Sequence, residues 1–248
     1  MIPVTVFEGR KIAVFGLGLS GLAAARSLLA GGAEIVAWDD SEAARAAASA
    51  EDIPVRDLKS EDWRDVAALV LAPGIPLTHP KPHWSVEKAR AAGIPVIGDT
   101  ELFFLELNKQ GGTSKVIVIT GTNGKSTTTA LTAHLLEQAG KRVAFGGNIG
   151  KAVLGLPPLA ADLTYILEFS SFQIDLTPSL AADAAALLNI TPDHLDRHGT
   201  LENYAAIKAR IFDGLGSGDT AVIGVDDAPC RAIADRLKGP FAVKRVAV

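Results

Sequence analysis

Gly121-Thr122-Asn123-Gly124-Lys125-Ser126-Thr127 is the stretch of this 248-residue chain best suited to hold phosphate. Its glycines permit a tight turn and let the backbone approach a ligand without a Cβ in the way. Lys125 offers a positive charge to outer phosphates, and Ser126 offers a hydroxyl to Mg2+. An apolar run, Lys115 to Thr120, precedes the loop, and a helical pattern from about Ser126 to Ala139 follows it. Strand, loop and helix in that order turn several backbone N–H groups toward one anion. The usual phosphate loop has a glycine six residues before its lysine; Ile119 stands there, so this is a shorter variant. The predicted ligand is a nucleoside triphosphate.

Three polar side chains downstream follow apolar runs or lie on a helical pattern. Glu168 follows the apolar run Leu163 to Leu167, at the carboxyl end of a predicted strand, where ligands bind in parallel sheets. His194 lies in Asn189-Ile190-Thr191-Pro192-Asp193-His194-Leu195-Asp196-Arg197-His198, again after an apolar run. Lys208 lies in the helical pattern Tyr204 to Phe212. Taken singly, Glu168 reads equally as a solvated strand-end acid and Lys208 as a surface lysine. Of the other histidines, His198 is expected to serve a turn or cap, and His134 to be a packed helix residue. Nearer the N-terminus, Gly16-Leu17-Gly18-Leu19-Ser20-Gly21 separates an apolar run from a helical pattern, and Asp39 follows eighteen residues after Gly21. That spacing is a dinucleotide signature, which makes an NAD(P)-dependent oxidoreductase the main rival function.

The frame that must position these groups is α/β. Short apolar runs at Lys11–Phe15, Glu34–Trp38, Ala67–Ala72 and Pro95–Ile97 alternate with helical patterns at Gly21–Ala30, Ser41–Ala50 and Val86–Ala92. This alternation predicts a parallel sheet in a Rossmann-like domain over residues 1–105. Residues 106–114, with Gly111 and Gly112, are predicted to be a connector. A second parallel-sheet domain is then expected over 106–248, with strands at Lys115–Thr120, Arg142–Phe145, Leu163–Phe169, Ala184–Ile190 and Thr220–Val225.

Composition narrows the function classes. Hydrophobic residues make up 48% and charged ones 21%, enough apolar surface for compact domains. The net charge of −4 disfavours a general nucleic-acid binder or a polybasic membrane binder. Cys230 is the only cysteine, so no intrachain disulfide can form, and an inert buried thiol is expected there. No basic-then-apolar leader opens the chain and no stretch reaches the ~20 apolar residues of a membrane span, so a cytoplasmic protein without membrane insertion is expected.

Thr120 to Thr127 resembles the ATP loop of the Mur ligases and the related folylpolyglutamate synthases, three-domain enzymes that form amide bonds at the expense of ATP. Glu168-Phe169-Ser170-Ser171-Phe172-Gln173, together with Lys125-Ser126-Thr127, resembles the branch of the Mur ligases that adds D-glutamate. The resemblance implies two Mg2+ ions held by Ser126, Glu168, His194 and a Lys208 carbamylated by CO2, with Lys125, His194 and Lys208 as the catalytic set. An ammonium cannot ligate Mg2+ whereas a carbamate presents anionic oxygens, which gives the modification its chemical sense. It further implies that Gly18, Leu19, Ser20, Asp39, Gly74, Asn148 and His194 contact UDP-N-acetylmuramoyl-L-alanine, with D-glutamate and ATP as the other substrates. Ser41 stands where some members carry an arginine, so nucleobase contacts there are expected to differ. The family is much longer than this sequence. The implied third domain is not in it, and the chain is expected to bind the UDP substrate without ligating it. A non-catalytic UDP-sugar-binding module is the remaining alternative.

Overall fold

The computed structural model describes residues 1–247; Val248, the last residue of the expected second domain, lies outside the described residues. The chain divides into two compact units. The first comprises Met1–Gln110 with Ala152–Pro158 and Leu176–Pro178, and the second comprises Gly111–Lys151, Leu159–Asp175 and Ser179–Val248.

In the first unit the order is β1 (Lys11–Phe15), α1 (Leu19–Ala30), β2 (Glu34–Trp38), α2 (Glu42–Ser49), β3 (Val66–Leu71), α3 (Trp84–Ala91), β4 (Val96–Ile97) and α4 (Asp99–Lys109). The strands form a parallel sheet in the order β2-β1-β3-β4. The central strand β1 buries four successive residues, Ile12 to Phe15, which is why it reads as a continuous apolar run rather than an alternating one. Helix α1 buries Gly21, Ala23, Ala24, Ala25 and Leu28, small side chains that bring its axis close to the sheet. Its approach is tightest at Gly21, where a Cβ would collide with the Gly16 carbonyl oxygen. Pro76, Pro80 and Pro82 fall in irregular structure, as predicted.

Helix α4 departs from the sequence reading, which placed a connector from residue 106. The helix runs through Lys109 and buries Leu102, Phe103, Phe104 and Leu107 together with Asp99, Glu101 and Glu106. Three buried acids on one short segment hide its amphipathic signal. Glu106 is inside because the N-terminal segment needs it: its carboxylate accepts hydrogen bonds from the Thr5 N–H at 2.6 Å and the Val6 N–H at 3.1 Å. The Thr5 hydroxyl at 3.0 Å and the Gln110 amide at 2.9 Å complete the shell.

In the second unit the order is β5 (Lys115–Thr120), α5 (Lys125–Gln138), β6 (Arg142–Gly147), β7 (Leu163–Glu168), α6 (Ser171–Asp175), β8 (Ala184–Leu187), α7 (Leu195–His198), α8 (Leu201–Ala209), β9 (Thr220–Gly224), α9 (Ala228–Arg236) and β10 (Ala242–Val246). Six parallel strands lie in the order β10-β9-β8-β5-β7-β6. His134, expected to be packed, is exposed on α5. Cys230 is buried, and burial pushes its thiol up to about 12, which matches the inert role expected of it. No helix among the described residues is long and apolar enough to cross a membrane.

Burial works against the Glu106 charge, but the hydrogen bonds from Gln110, Thr5 and Val6 outweigh it and hold the carboxyl below the usual glutamate range. Glu106→Ala should therefore lower stability by roughly 2–4 kcal/mol at neutral pH, read as a lower Tm, because backbone donors lose their acceptor. The folded-state pKa is depressed, so this contribution is present above the ordinary glutamate value of about 4.3 and fades as pH falls below it. A Tm difference between wild type and variant that does not shrink in acid would contradict this assignment.

Candidate active site

The phosphate loop of the second unit hangs between the ends of β5 and α5. Gly124 caps α5 in the left-handed region at φ +82°, a conformation that favours glycine. The segment after β8 clamps the loop from below: the Thr122 N–H donates to the Asn189 carbonyl at 2.9 Å, and the Asn123 N–H donates to the Asn189 side-chain oxygen at 2.8 Å. The Asn189 amide in turn donates to the Asn123 carbonyl at 3.1 Å. The Lys125 ammonium lies over its own loop, donating to the carbonyls of Gly121 at 3.0 Å and Thr122 at 2.9 Å. Asn123, Gly124, Ser126 and Thr127 are exposed. The loop backbone is thus fixed by the Asn189 segment, with four of its residues open to solvent.

Glu168 pairs in register with Ile119, so strand β7 delivers it beside the base of the loop. It is 1% exposed. One oxygen accepts from the Asn148 amide at 2.8 Å, and the other, buried, has no hydrogen-bond partner. The Asn148 N–H also donates to the Glu168 carbonyl at 2.8 Å, so β6 and β7 hold the two residues as a pair. Gly147 makes this approach possible: its φ is +105°, and a Cβ would collide with the Glu168 carbonyl oxygen. A buried carboxylate oxygen left without a donor is the arrangement that a hard cation such as Mg2+ would satisfy.

Lys208, on α8, is also 1% exposed. Its ammonium donates to the Gly121 carbonyl at 3.0 Å and the Thr120 hydroxyl at 3.3 Å, and it lies 4.8 Å from the Tyr204 ring centroid. Burial first, and the positive charge of Lys125 second, push its pKa down to about 7. A surface lysine is thereby excluded. His194 differs in being about half exposed, with its backbone in the left-handed region at φ +50°. That conformation is uncommon for a side chain larger than asparagine and marks a position under local constraint. Its ring packs 4.9 Å from Phe172. Phe172 is stacked in turn on His198, at 5.2 Å and 14°. His198 ends α7, as a turn residue should, yet it is buried and hydrogen-bonded to the Ser171 hydroxyl at 2.9 Å. No group of three or more His, Cys, Asp and Glu side chains gathers into a metal-holding cluster among the described residues.

In the first unit the glycine motif has two kinds of glycine. Gly16, at φ +91°, and Gly21 are packed so closely that a Cβ would strike Ala72 or the Gly16 carbonyl. At Gly18, the N-cap of α1, a Cβ would meet open space, as it would at Gly74. Leu19, 81% exposed, and Ser20 follow at the start of the helix. Asp39 acts as a staple: one carboxylate oxygen accepts from the Leu17 N–H at 2.7 Å and the other from the Ser41 N–H at 2.8 Å. Arg45 donates to the carbonyls of Asp39 and Asp40, and its guanidinium lies 4.4 Å over the Trp38 ring.

The family description Mur ligase middle domain matches residues 119–245, and Mur ligase MurD-like, N-terminal domain matches residues 10–98. The chain belongs to the Mur ligase family. The family match decides against the rival oxidoreductase reading of the first glycine motif. Among Mur ligases of known sequence, UDP-N-acetylmuramoylalanine–D-glutamate ligase of Chelativorans sp. (strain BNC1) is 59% identical over 238 residues, 96% of this chain and 50% of the relative. The protein of that name from Brucella abortus (strain 2308) is 56% identical, covering 96% and 50%. The chain spans about half the length of these relatives. Two solved Mur-type ligases share the fold: UDP-N-acetylmuramate:L-alanyl-gamma-D-glutamyl-meso-diaminopimelate ligase from Neisseria meningitides and a murein peptide ligase from Psychrobacter arcticus. The first has TM-score 0.62 at 18% identity, over 95% of this chain and 77% of that one; the second has 0.58 at 15%, over 96% and 53%.

Three features of this Mur ligase were not read from the sequence. Asn189 was seen only as part of a segment, although an asparagine just after an apolar run is a signal for a backbone-bonding turn. The His198–Phe172–His194 ring cluster joins residues 26 and 22 positions apart in the chain, with no local signal. Asp99 was missed along with α4.

The Lys208 pKa has a thermodynamic consequence. Its folded value of about 7 lies below the ordinary lysine value of about 10.4, so the unfolded chain binds more protons between them. Lys208 should therefore cost stability progressively as pH falls through that window, and the cost should level off below about 7. Lys208→Met is expected to stabilise the chain by on the order of a few kcal/mol at pH 7 and much less at pH 10, measured by urea unfolding. Equal effects at both pH values would sink the buried-amine reading.

Proposed function

We propose that this chain supplies the UDP-substrate and ATP sites of an ATP-dependent ligase that adds D-glutamate to UDP-N-acetylmuramoyl-L-alanine in peptidoglycan precursor synthesis, in the cytoplasm. Residues 1–105 would take the UDP portion and residues 106–248 the ATP. The observation that carries the reading is that two buried groups flank the phosphate loop: a half-satisfied Glu168, in register with Ile119, and Lys208, of lowered pKa, on the Gly121 carbonyl. The names of relatives at 56–59% identity support the substrate assignment.

A carboxylate is a poor electrophile, so the proposed reaction activates it first. A terminal carboxylate oxygen of the L-alanyl substrate attacks the γ-phosphorus of ATP, and the bond to the β-phosphate oxygen breaks, giving an acyl phosphate and ADP. The amine of D-glutamate then attacks the carbonyl carbon; phosphate leaves and the amine proton is lost. The loop 121–127 would cradle the phosphates through backbone N–H groups, and Lys125 would turn outward to neutralise charge moving toward the leaving oxygens. Asn148 and His194 would orient the reacting end of the UDP substrate, while Gly18, Leu19, Ser20, Asp39 and Gly74 hold the nucleotide end. Mg2+ would supply charge neutralisation at the phosphate oxygens, and the residues that fit it are Ser126, Glu168, His194 and a carbamylated Lys208. At pKa about 7 a large share of Lys208 is the neutral amine, which can attack CO2 and lose a proton to become a carbamate anion.

Two measurements test this. UDP-N-acetylmuramoyl-L-alanine, and ATP with Mg2+, should each raise the Tm of the chain, whereas NAD should not; stabilisation by NAD alone would overturn the reading. In 13C-labelled bicarbonate above neutral pH, a carbamate carbon resonance should appear for wild type and be absent from Lys208→Arg. A wild-type protein showing only free amine with ATP and Mg2+ present would remove the carbamate from the proposal.

A further inference from the structure

Asp99 is a buried acid that none of the roles above uses. It is the first residue of α4 and is 2% exposed. Neither carboxyl oxygen completes a hydrogen bond to another group. The Ser20 hydroxyl, in the first turn of α1, and the backbone N–H groups of Thr100 and of Asp99 itself favour the charged form, and burial outweighs all three. Burial thus raises the Asp99 pKa to about 6. The charged side chains on the elements packed about it are placed elsewhere. Arg26 of α1 pairs with Glu51, and on α4 itself Glu106 and Lys109 serve Thr5, while Glu101 is separately buried. The accessory segments 152–158 and 176–178 carry no titratable side chain.

We propose that Asp99 is a positioning residue for the diphosphate of the nucleotide substrate: protonated, it holds the Ser20 hydroxyl at the N-terminus of α1, so that the ligand binds together with one proton. This rests on the reading that the UDP portion binds at Gly18, Leu19 and Ser20. The N-terminus of α1 offers backbone N–H groups over the open space at Gly18. An ionised Asp99 behind those donors would repel a bound diphosphate through a poorly screened interior. A protonated Asp99 donates its O–H to the Ser20 oxygen, leaving the Ser20 O–H to point outward to a phosphate oxygen. The bound anion in turn favours the protonated acid, raising its pKa further in the complex. The sign follows. Below the free-state value of about 6 the acid is protonated before and after binding, and affinity is flat. Above it, binding must take up a proton, and affinity falls by up to about tenfold per pH unit until the pKa of the complex is passed.

The experiment is isothermal titration calorimetry of UDP-N-acetylmuramoyl-L-alanine from about pH 6 to pH 8 in two buffers of different ionisation enthalpy. The diphosphate of this ligand is a diester with no ionisation in that range, so a proton taken up belongs to the protein. Wild type should take up close to one proton, with Kd rising about tenfold or more across the range. Asp99→Asn, a neutral isostere that keeps a donor, should bind without uptake, with a flat pH profile and a Kd at pH 8 no weaker than wild type. Buffer-independent binding enthalpy in wild type, a result that needs no variant, would overturn the proposal, as would an Asp99→Asn profile that still slopes. Failure of the ligand to bind at any pH would overturn the underlying assignment and this one with it, whereas binding without proton uptake would overturn this one alone.

Discussion

Strand β5 pairs in parallel with β7 on one side and β8 on the other, and that register sets the geometry of the second unit's site. Ile119 opposite Glu168 and Thr120 opposite Leu187 bring three strand ends to a common edge. From those ends emerge the phosphate loop, the carboxylate and the Asn189 segment. A one-residue slip would turn Glu168 to the other face of the sheet and pull Asn189 away from the loop N–H groups it binds. The apolar faces of β5 and β7 resist such a slip, so ordinary core packing holds the site in place.

On that edge the chain accepts burial of charged groups that a purely structural fold would avoid. Lys208 carries an ammonium into a site 1% exposed, and Glu168 has an oxygen without a donor. Asp99, in the first unit, is buried with neither oxygen hydrogen-bonded. Contrast Glu106, equally buried but surrounded by donors, whose part is to anchor the N-terminal segment. Complete satisfaction goes with a structural role here, and incomplete satisfaction with sites at which a ligand would supply the missing partner.

Much of the strand framework was legible. Lys11–Phe15, Glu34–Trp38 and Lys115–Thr120 match the observed strands residue for residue, since a strand covered on both faces leaves an uninterrupted apolar run between turn residues. Helix α4 was not legible, because its buried acids look like surface until their partners are known. Nor was the reach of β8, expected to extend to Ile190 but ending at Leu187. Beyond it the backbone leaves the sheet, and the Asn189 carbonyl turns to the Thr122 N–H of the loop.

Residue order alone determined the strand-loop-helix frame of the phosphate loop and the parallel α/β class, because both are written in local spacing and apolar periodicity; only the resemblance to the Mur ligases singled out Glu168, His194 and Lys208. Tertiary structure decided what state those side chains are in. Whether Lys208 is a solvated ammonium or a buried amine, whether Asp39 is free or stapled to Leu17 and Ser41, and whether Asp99 is charged all depend on groups distant in the chain. Charge and hydrogen-bonding state are properties of an environment, and an environment is assembled only when the strands and helices pack.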